Sequence, residues 1–150
     1  MKILALDMGD VWIGTAISDA LRITCRPYQT VKVSELTEFL CKTIPFENIT
    51  TIVYGMPYTM KGESGTQATK VVDDIKTLQT SLEKKHIQSV KWEMWDERRT
   101  SKQAQTILRS NKPKQKTKLM KNQEHSVAAA LILQNYLDRV AFKAQFQEEK

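Results

Sequence analysis

The apolar positions of this chain change their period several times, and each change marks an element. Lys2-Ile3-Leu4-Ala5-Leu6-Asp7-Met8-Gly9 opens with four consecutive apolar residues that run into a carboxylate. A short continuous apolar run closed by a turn residue predicts a strand buried on both faces, hence one that lies mid-sheet. Trp12 to Ser18 predicts a second strand, joined to the first by a loop short enough for an antiparallel hairpin. Ile23-Thr24-Cys25 and the residues after Pro27 predict a short third strand, and the proline predicts an edge position for it.

The period then alternates between helix and strand. Ser34 is placed to cap a helix with Leu36, Phe39, Leu40 and Ile44 on one stripe, and Pro45 is expected to stop it. The β-branched run from Ile49 into Gly55-Met56-Pro57 predicts a fourth strand. After the loop from Tyr58, Ser64 and Gln67 have capping-box spacing before a helical stripe of Ala68, Val71, Val72, Ile75, Leu78 and Leu82. That stripe fades at Lys84-Lys85-His86, where His86 reads as a residue complementing the helix dipole rather than as a ligand. Ser89 to Trp95 alternates as a fifth strand, with Val90, Trp92 and Met94 on one face and Lys91, Glu93 and Trp95 on the other. Thr100 and Gln103 repeat the capping pattern before Ala104, Ile107 and Leu108. A lysine-rich connector from Asn111 to Lys121, expected to be mobile, leads to an apolar helix from about Asn122 to about Phe142.

The order β-β-β-α-β-α-β-α-α predicts an α/β fold, a mixed sheet with helices on both faces. The 150 residues make one domain over 1–142 with a frayed tail over 143–150. No apolar run approaches the roughly 18 residues of a membrane span, and the chain starts directly in a strand without a cleavable leader. Cys25 and Cys41 are far apart and lack metal spacing, so they read as small hydrophobes in a reducing compartment. Together these features predict a cytoplasmic protein with no membrane partner.

Charge changes the picture only once it is located. The net charge is +6, yet from Arg98 to Lys121 there are nine basic residues and no acidic one, so the remainder is net acidic. A segment of that length without a carboxylate favours a polyanion partner over a merely solvated face. Arg98, Arg99, Lys102, Lys112, Lys114 and Lys116 within it, and Lys61 in the loop after strand four, are the candidate nucleic-acid contacts.

Open α/β sheets place their sites beside the carboxyl ends of strands. Asp7 ends strand one, Gly55-Met56-Pro57 ends strand four, and Asp96-Glu97 ends strand five. A carboxylate at the end of a central strand is costly unless a cation or a set of N–H donors meets it. The plainer alternative is that Asp7 only accepts hydrogen bonds in the turn that Gly9 permits. Adjacent strand residues point to opposite faces, so only one of Asp96 and Glu97 can face Asp7. Two carboxylates from neighbouring strands suit a hard divalent cation, and two such ions about 4 Å apart can activate water and stabilise the leaving oxygen of a phosphodiester.

Four stretches in this order, LALDMGDVWIGTAISD, IVYGMPYTMKGESGTQA, WDERRTSKQA and SVAAALILQNYLD, closely resemble the YqgF (RuvX-like) family of the ribonuclease H-like superfamily. The resemblance spans Met1 to about Arg139. It implies a ribonuclease H-like fold with a five-stranded mixed sheet flanked by helices, and a two-metal nuclease using Mg²⁺ or Mn²⁺. It further implies action on the 5′ end of pre-16S ribosomal RNA, with ribosomal particles as partners. The alternatives are a Holliday-junction resolvase on branched DNA, or a non-catalytic RNA-binding module with an eroded metal site. By the resemblance, Asp7 matches the first-strand catalytic aspartate and Glu97, in DERRTS, matches the glutamate of the family's DER motif. Arg98 beside it would contact phosphate or anchor that carboxylate.

The chain departs from the family at two places. The family carries an aspartate three residues before the paired alanines of the last helix, and here that position is His125. Glu124 is adjacent but rotated by about 100° around the helix, so it does not simply replace the aspartate. His125 can ligate a metal through a neutral nitrogen or handle a proton, or it can stand near the helix start with no catalytic role. Trp12 occupies a position where the family has arginine, which removes a phosphate contact or an internal ion pair.

Overall fold

The computed structural model describes residues 1–56, 66–87, 89–96 and 118–148, the side chains at 66–67, 118–123 and 147–148 excepted. The strands are β1 (Lys2–Asp7), β2 (Trp12–Ser18), β3 (Cys25–Lys32), β4 (Ile49–Met56) and β5 (Lys91–Asp96). The helices among the described residues are α1 (Leu36–Glu47), α2 (Thr66–Lys84) and α3 (Lys118–Glu148), with a 3₁₀ turn over Val33–Glu35. The five strands form one sheet in the order β3-β2-β1-β4-β5. β1 is antiparallel to β2 and parallel to β4, β2 is antiparallel to β3, and β4 is parallel to β5. This is the five-stranded mixed sheet that the element order and the resemblance predict, with β1 at its centre.

The continuous apolar run of β1 is explained by burial on both faces. Leu4 and Leu6 join Ile13, Ile17 and Ile52 under α1 and α2. Ile3 and Ala5 turn the other way, joining Ala16, Val53 and Trp95 under Ala129, Ile132, Leu133 and Leu137 of α3. Each such large side chain withdrawn from water contributes about 1.5–3 kcal/mol, so β1 is held from both sides.

Several elements differ from the sequence pattern for physical reasons. Pro45 lies inside α1 rather than after it. It falls in the last turn, where only one helical hydrogen bond is forfeited, and the actual stop is Asn48, left-handed at φ 57°, whose N–H bonds Ile44 O. Ser34 does not cap α1, since it lies in the 3₁₀ turn and the N-cap position is Glu35 with no side-chain bond. β3 runs eight residues, with Pro27 inside it, which its edge position allows. Val72 is exposed although it shares the α2 stripe. His86 takes φ 64° and closes the end of α2, its N–H bonding Glu83 O at 3.0 Å. α3 begins before Asn122 and continues beyond Phe142, because its last turns are fully solvated and leave no apolar periodicity to read.

Candidate active site at the end of the central strand

Side-chain alternation shows which face of the sheet carries Asp7. Asp7 follows Ile3 and Ala5 in parity, so it stands on the α3 face of the sheet. Asp96 pairs with Met56 and shares parity with Trp92, whose side chain packs against the Met56 cluster on the opposite face. Asp96 therefore falls on the face opposite Asp7. Glu97 lies outside the described residues, as do Arg98, Arg99, Lys102, Lys61, Lys112, Lys114 and Lys116, the Thr100 and Gln103 pair, and Ser64.

Two glycines build the site. The β1–β2 turn brings Gly9 so near Trp12 that a Cβ would stand 2.3 Å from the Trp12 carbonyl oxygen. Gly14, in the middle of β2, lets the backbone of α3 rest directly on the strand. A Cβ there would stand 1.9 Å from the His125 carbonyl oxygen and 2.7 Å from the Ser126 nitrogen. A mid-strand glycine is itself a sign of close backbone approach, and it is the sequence signal for this contact. The register shift in β2–β3 falls between Gly14 and Ala16, where the Thr15 hydroxyl donates to Gln29 O and accepts from Gln29 N–H.

The consequence is that His125 Nδ1 lies 4.0 Å from Asp7 Oδ2, with the two side chains 38% and 22% exposed. Among the described residues no donor other than this imidazole approaches the Asp7 carboxylate. Burial therefore acts unopposed and raises its pKa to about 6. The Asp7 oxygen and the His125 nitrogen, 4.0 Å apart, are donor types that a divalent metal takes. Among the described residues no group of three or more His, Cys, Asp or Glu gathers, and Glu97 lies outside them.

The surroundings supply charge that the motifs did not signal. Lys70 of α2 bonds Asp10 at 2.7 Å, tying that helix to the β1–β2 turn. Trp12, where the resemblance calls for arginine, carries the Lys32 ammonium 5.7 Å from its ring centroid, so a cation from β3 stands beside that position. No helix among the described residues is long and apolar enough to cross a membrane.

Comparisons with known proteins agree with this architecture. The family model described as "RuvX: Holliday junction resolvase" matches residues 1–139. A protein of Rubrobacter xylanophilus named "Putative pre-16S rRNA nuclease" is 34% identical, covering 91% of this chain and 92% of its own length. A protein of Sulfurihydrogenibium sp. with the same name is 38% identical, covering 94% and 92% respectively. Among solved structures, Thermus thermophilus RuvC in complex with a Holliday junction substrate superposes with a TM-score of 0.56 at 14% identity, covering 93% of this chain and 96% of that one. At that identity the likeness speaks for the fold alone, which is ribonuclease H-like.

Proposed function

Because the chain belongs to the RuvX family, whose model spans nearly all of it, we propose that it is a divalent-metal-dependent nuclease that processes the 5′ end of pre-16S ribosomal RNA. The observation that carries the reading is the half-buried Asp7 carboxylate facing His125 Nδ1 at the carboxyl end of the central strand. Asp7, His125 and Glu97 would hold Mg²⁺ or Mn²⁺. When bound, the metal supplies a lowered pKa to its water and positive charge to the leaving oxygen.

The chain's own residues do the rest. The Gly14 contact fixes His125 at a constant distance from Asp7, and the low local polarity around Asp7 strengthens its attraction for a cation. Arg98, Arg99 and Lys102, with Lys61, Lys112, Lys114 and Lys116, would hold the RNA backbone through counterion release. Sequence relatives at 34–38% identity are named for ribosomal RNA, which favours RNA over branched DNA as the substrate.

The test is cleavage of a pre-16S 5′-leader RNA with Mn²⁺, with EDTA, and by Asp7→Asn, beside a matched four-way DNA junction. RNA cutting that disappears with EDTA and with Asp7→Asn is the expected result. Cutting confined to the junction would replace the RNA reading with resolution of branched DNA. If neither substrate is cut while the RNA is bound equally by both proteins, the chain is a binding module on a nuclease scaffold.

A further inference from the structure

At the far end of the sheet from Asp7 a cavity of about 880 Å³ opens between β5, the second half of α3 and the turn joining β2 to β3. Its polar lining comes from Lys91 and Glu93 of β5, Tyr136, Arg139 and Lys143 of α3, and Arg22 of the turn. The turn is firmly built. Asp19 Oδ1 accepts from the N–H groups of Ile23 and Thr24 at 2.7 and 3.1 Å, and Arg22 takes φ 60° at its apex. Arg139 stands on the helix some fourteen residues beyond His125, which is about 21 Å along the axis.

The charges in this cavity do not cancel. Glu93 accepts a hydrogen bond from the Tyr136 hydroxyl and pairs with Lys91 at 2.7 Å. Against the Glu93 carboxylate, which the Lys143 charge also faces, the lining sets the further cations Arg22 and Arg139, and the Arg139 guanidinium lies 5.9 Å over the Trp95 ring. Trp95, another wall of the cavity, has a buried indole N–H without an acceptor among the described residues. Beside these cations the lining exposes large apolar side chains, Leu21 at 76%, Ile23 at 63% and Val140 at 47%.

The combination selects among anions. A small anion would use the cations and leave the apolar rim wet. A duplex presents phosphates, but its base faces are stacked inside. A single strand presents phosphates and base faces together, so the cations can meet the one while the exposed apolar side chains meet the other. We propose that this cavity is a second binding site for single-stranded nucleic acid, with Arg22, Arg139 and Lys143 on the phosphates and Leu21, Ile23 and Val140 against the bases. It rests on the nucleic-acid reading of the preceding section, and it makes α3 a ruler with the cutting site at one end and a strand clamp at the other.

The experiment is fluorescence anisotropy of a labelled, unstructured RNA of about 30 nucleotides and of a duplex of equal length, over a salt series. The proteins are the wild type, the triple variant R22Q/R139Q/K143Q and, should that melt early, the exposed pair R22Q/K143Q. The expected result is at least a tenfold loss of single-strand affinity, a salt slope shallower by about 2 in the triple variant, and little change for duplex. Unchanged single-strand affinity and slope in a folded variant would overturn the site while leaving the nuclease standing. Equal losses for single strand and duplex would overturn the single-strand assignment. A wild type that binds no nucleic acid would overturn both this site and the function above.

Discussion

Gly14 and His125 are in backbone contact, and that contact determines what stands beside Asp7. A Cβ at residue 14 would meet the His125 carbonyl oxygen at 1.9 Å, closer than any real contact, and both partners are backbone that cannot swing aside. Gly14→Ala must therefore push the start of α3 off the sheet. The expected cost is about 3 kcal/mol, read as a lowered denaturation midpoint with an unchanged slope. Cleavage should fall more than about tenfold, since an ångström of misplacement at a reacting centre has that effect or more. RNA affinity should stay within about twofold, because the contact carries no phosphate-binding charge. A variant that keeps wild-type stability would refute the contact.

Asp7 trades stability for its site. Burial raises its pKa from 3.8 to about 6, so the folded protein prefers the protonated carboxyl and the ionised form works against folding. With metal removed by EDTA, that cost is full above about pH 6 and disappears as the pH falls through about 4, where both states are protonated. Asp7→Asn removes the cost and is expected to be more stable than wild type by about 2 kcal/mol at about pH 8, with the advantage gone near pH 4. Adding Mn²⁺ should stabilise wild type and leave Asp7→Asn unmoved. Equal stability of the two metal-free proteins at both pH values would mean that Asp7 is not desolvated.

The fold was legible because its decisive signals are local. The unbroken apolar run of β1, the period-2 pattern of β5 and the stripe of α2 each report burial directly. Pro45 misled because a proline within the last turn of a helix costs little, whereas the left-handed Asn48 gives no strong signal from sequence alone. The face of Asp7 was out of reach for a related reason. Parity along one strand is readable, but which parity meets α3 depends on packing across the sheet, and only Ile3, Ala5 and Trp95 in one cluster reveal it. His125 was placed by the family resemblance, while its distance from Asp7 comes from the Gly14 contact.

His125 should set the preferred metal. A neutral imidazole nitrogen suits Mn²⁺ and other transition ions better than Mg²⁺, which favours oxygen donors and water. His125→Asp converts the pair facing each other at 4.0 Å into two oxygen donors. The expected outcome is a shift of the Mg²⁺-to-Mn²⁺ affinity ratio towards Mg²⁺ by about tenfold or more, measured by calorimetric titration. Cleavage in Mg²⁺ should rise in parallel. His125→Ala should weaken Mn²⁺ binding while RNA affinity measured in EDTA is kept. An unaltered ratio in His125→Asp would remove His125 from the metal site.

The basic segment makes a quantitative claim about salt. Lys112, Lys114 and Lys116 alternate with uncharged residues in a stretch that holds no carboxylate, so each is free of internal neutralisation by its sequence neighbours. Each phosphate neutralised on a single strand adds about 0.7 to the slope of log affinity against log salt. Changing the three to glutamine should reduce the slope by about 2, weaken binding at about 0.1 M salt and leave preference between RNA sequences unaltered. The measurement is a salt titration of RNA affinity for both proteins, made in EDTA so that cleavage does not consume the ligand. A slope unchanged by the triple substitution would show that these lysines are solvated surface and that the RNA backbone is held elsewhere.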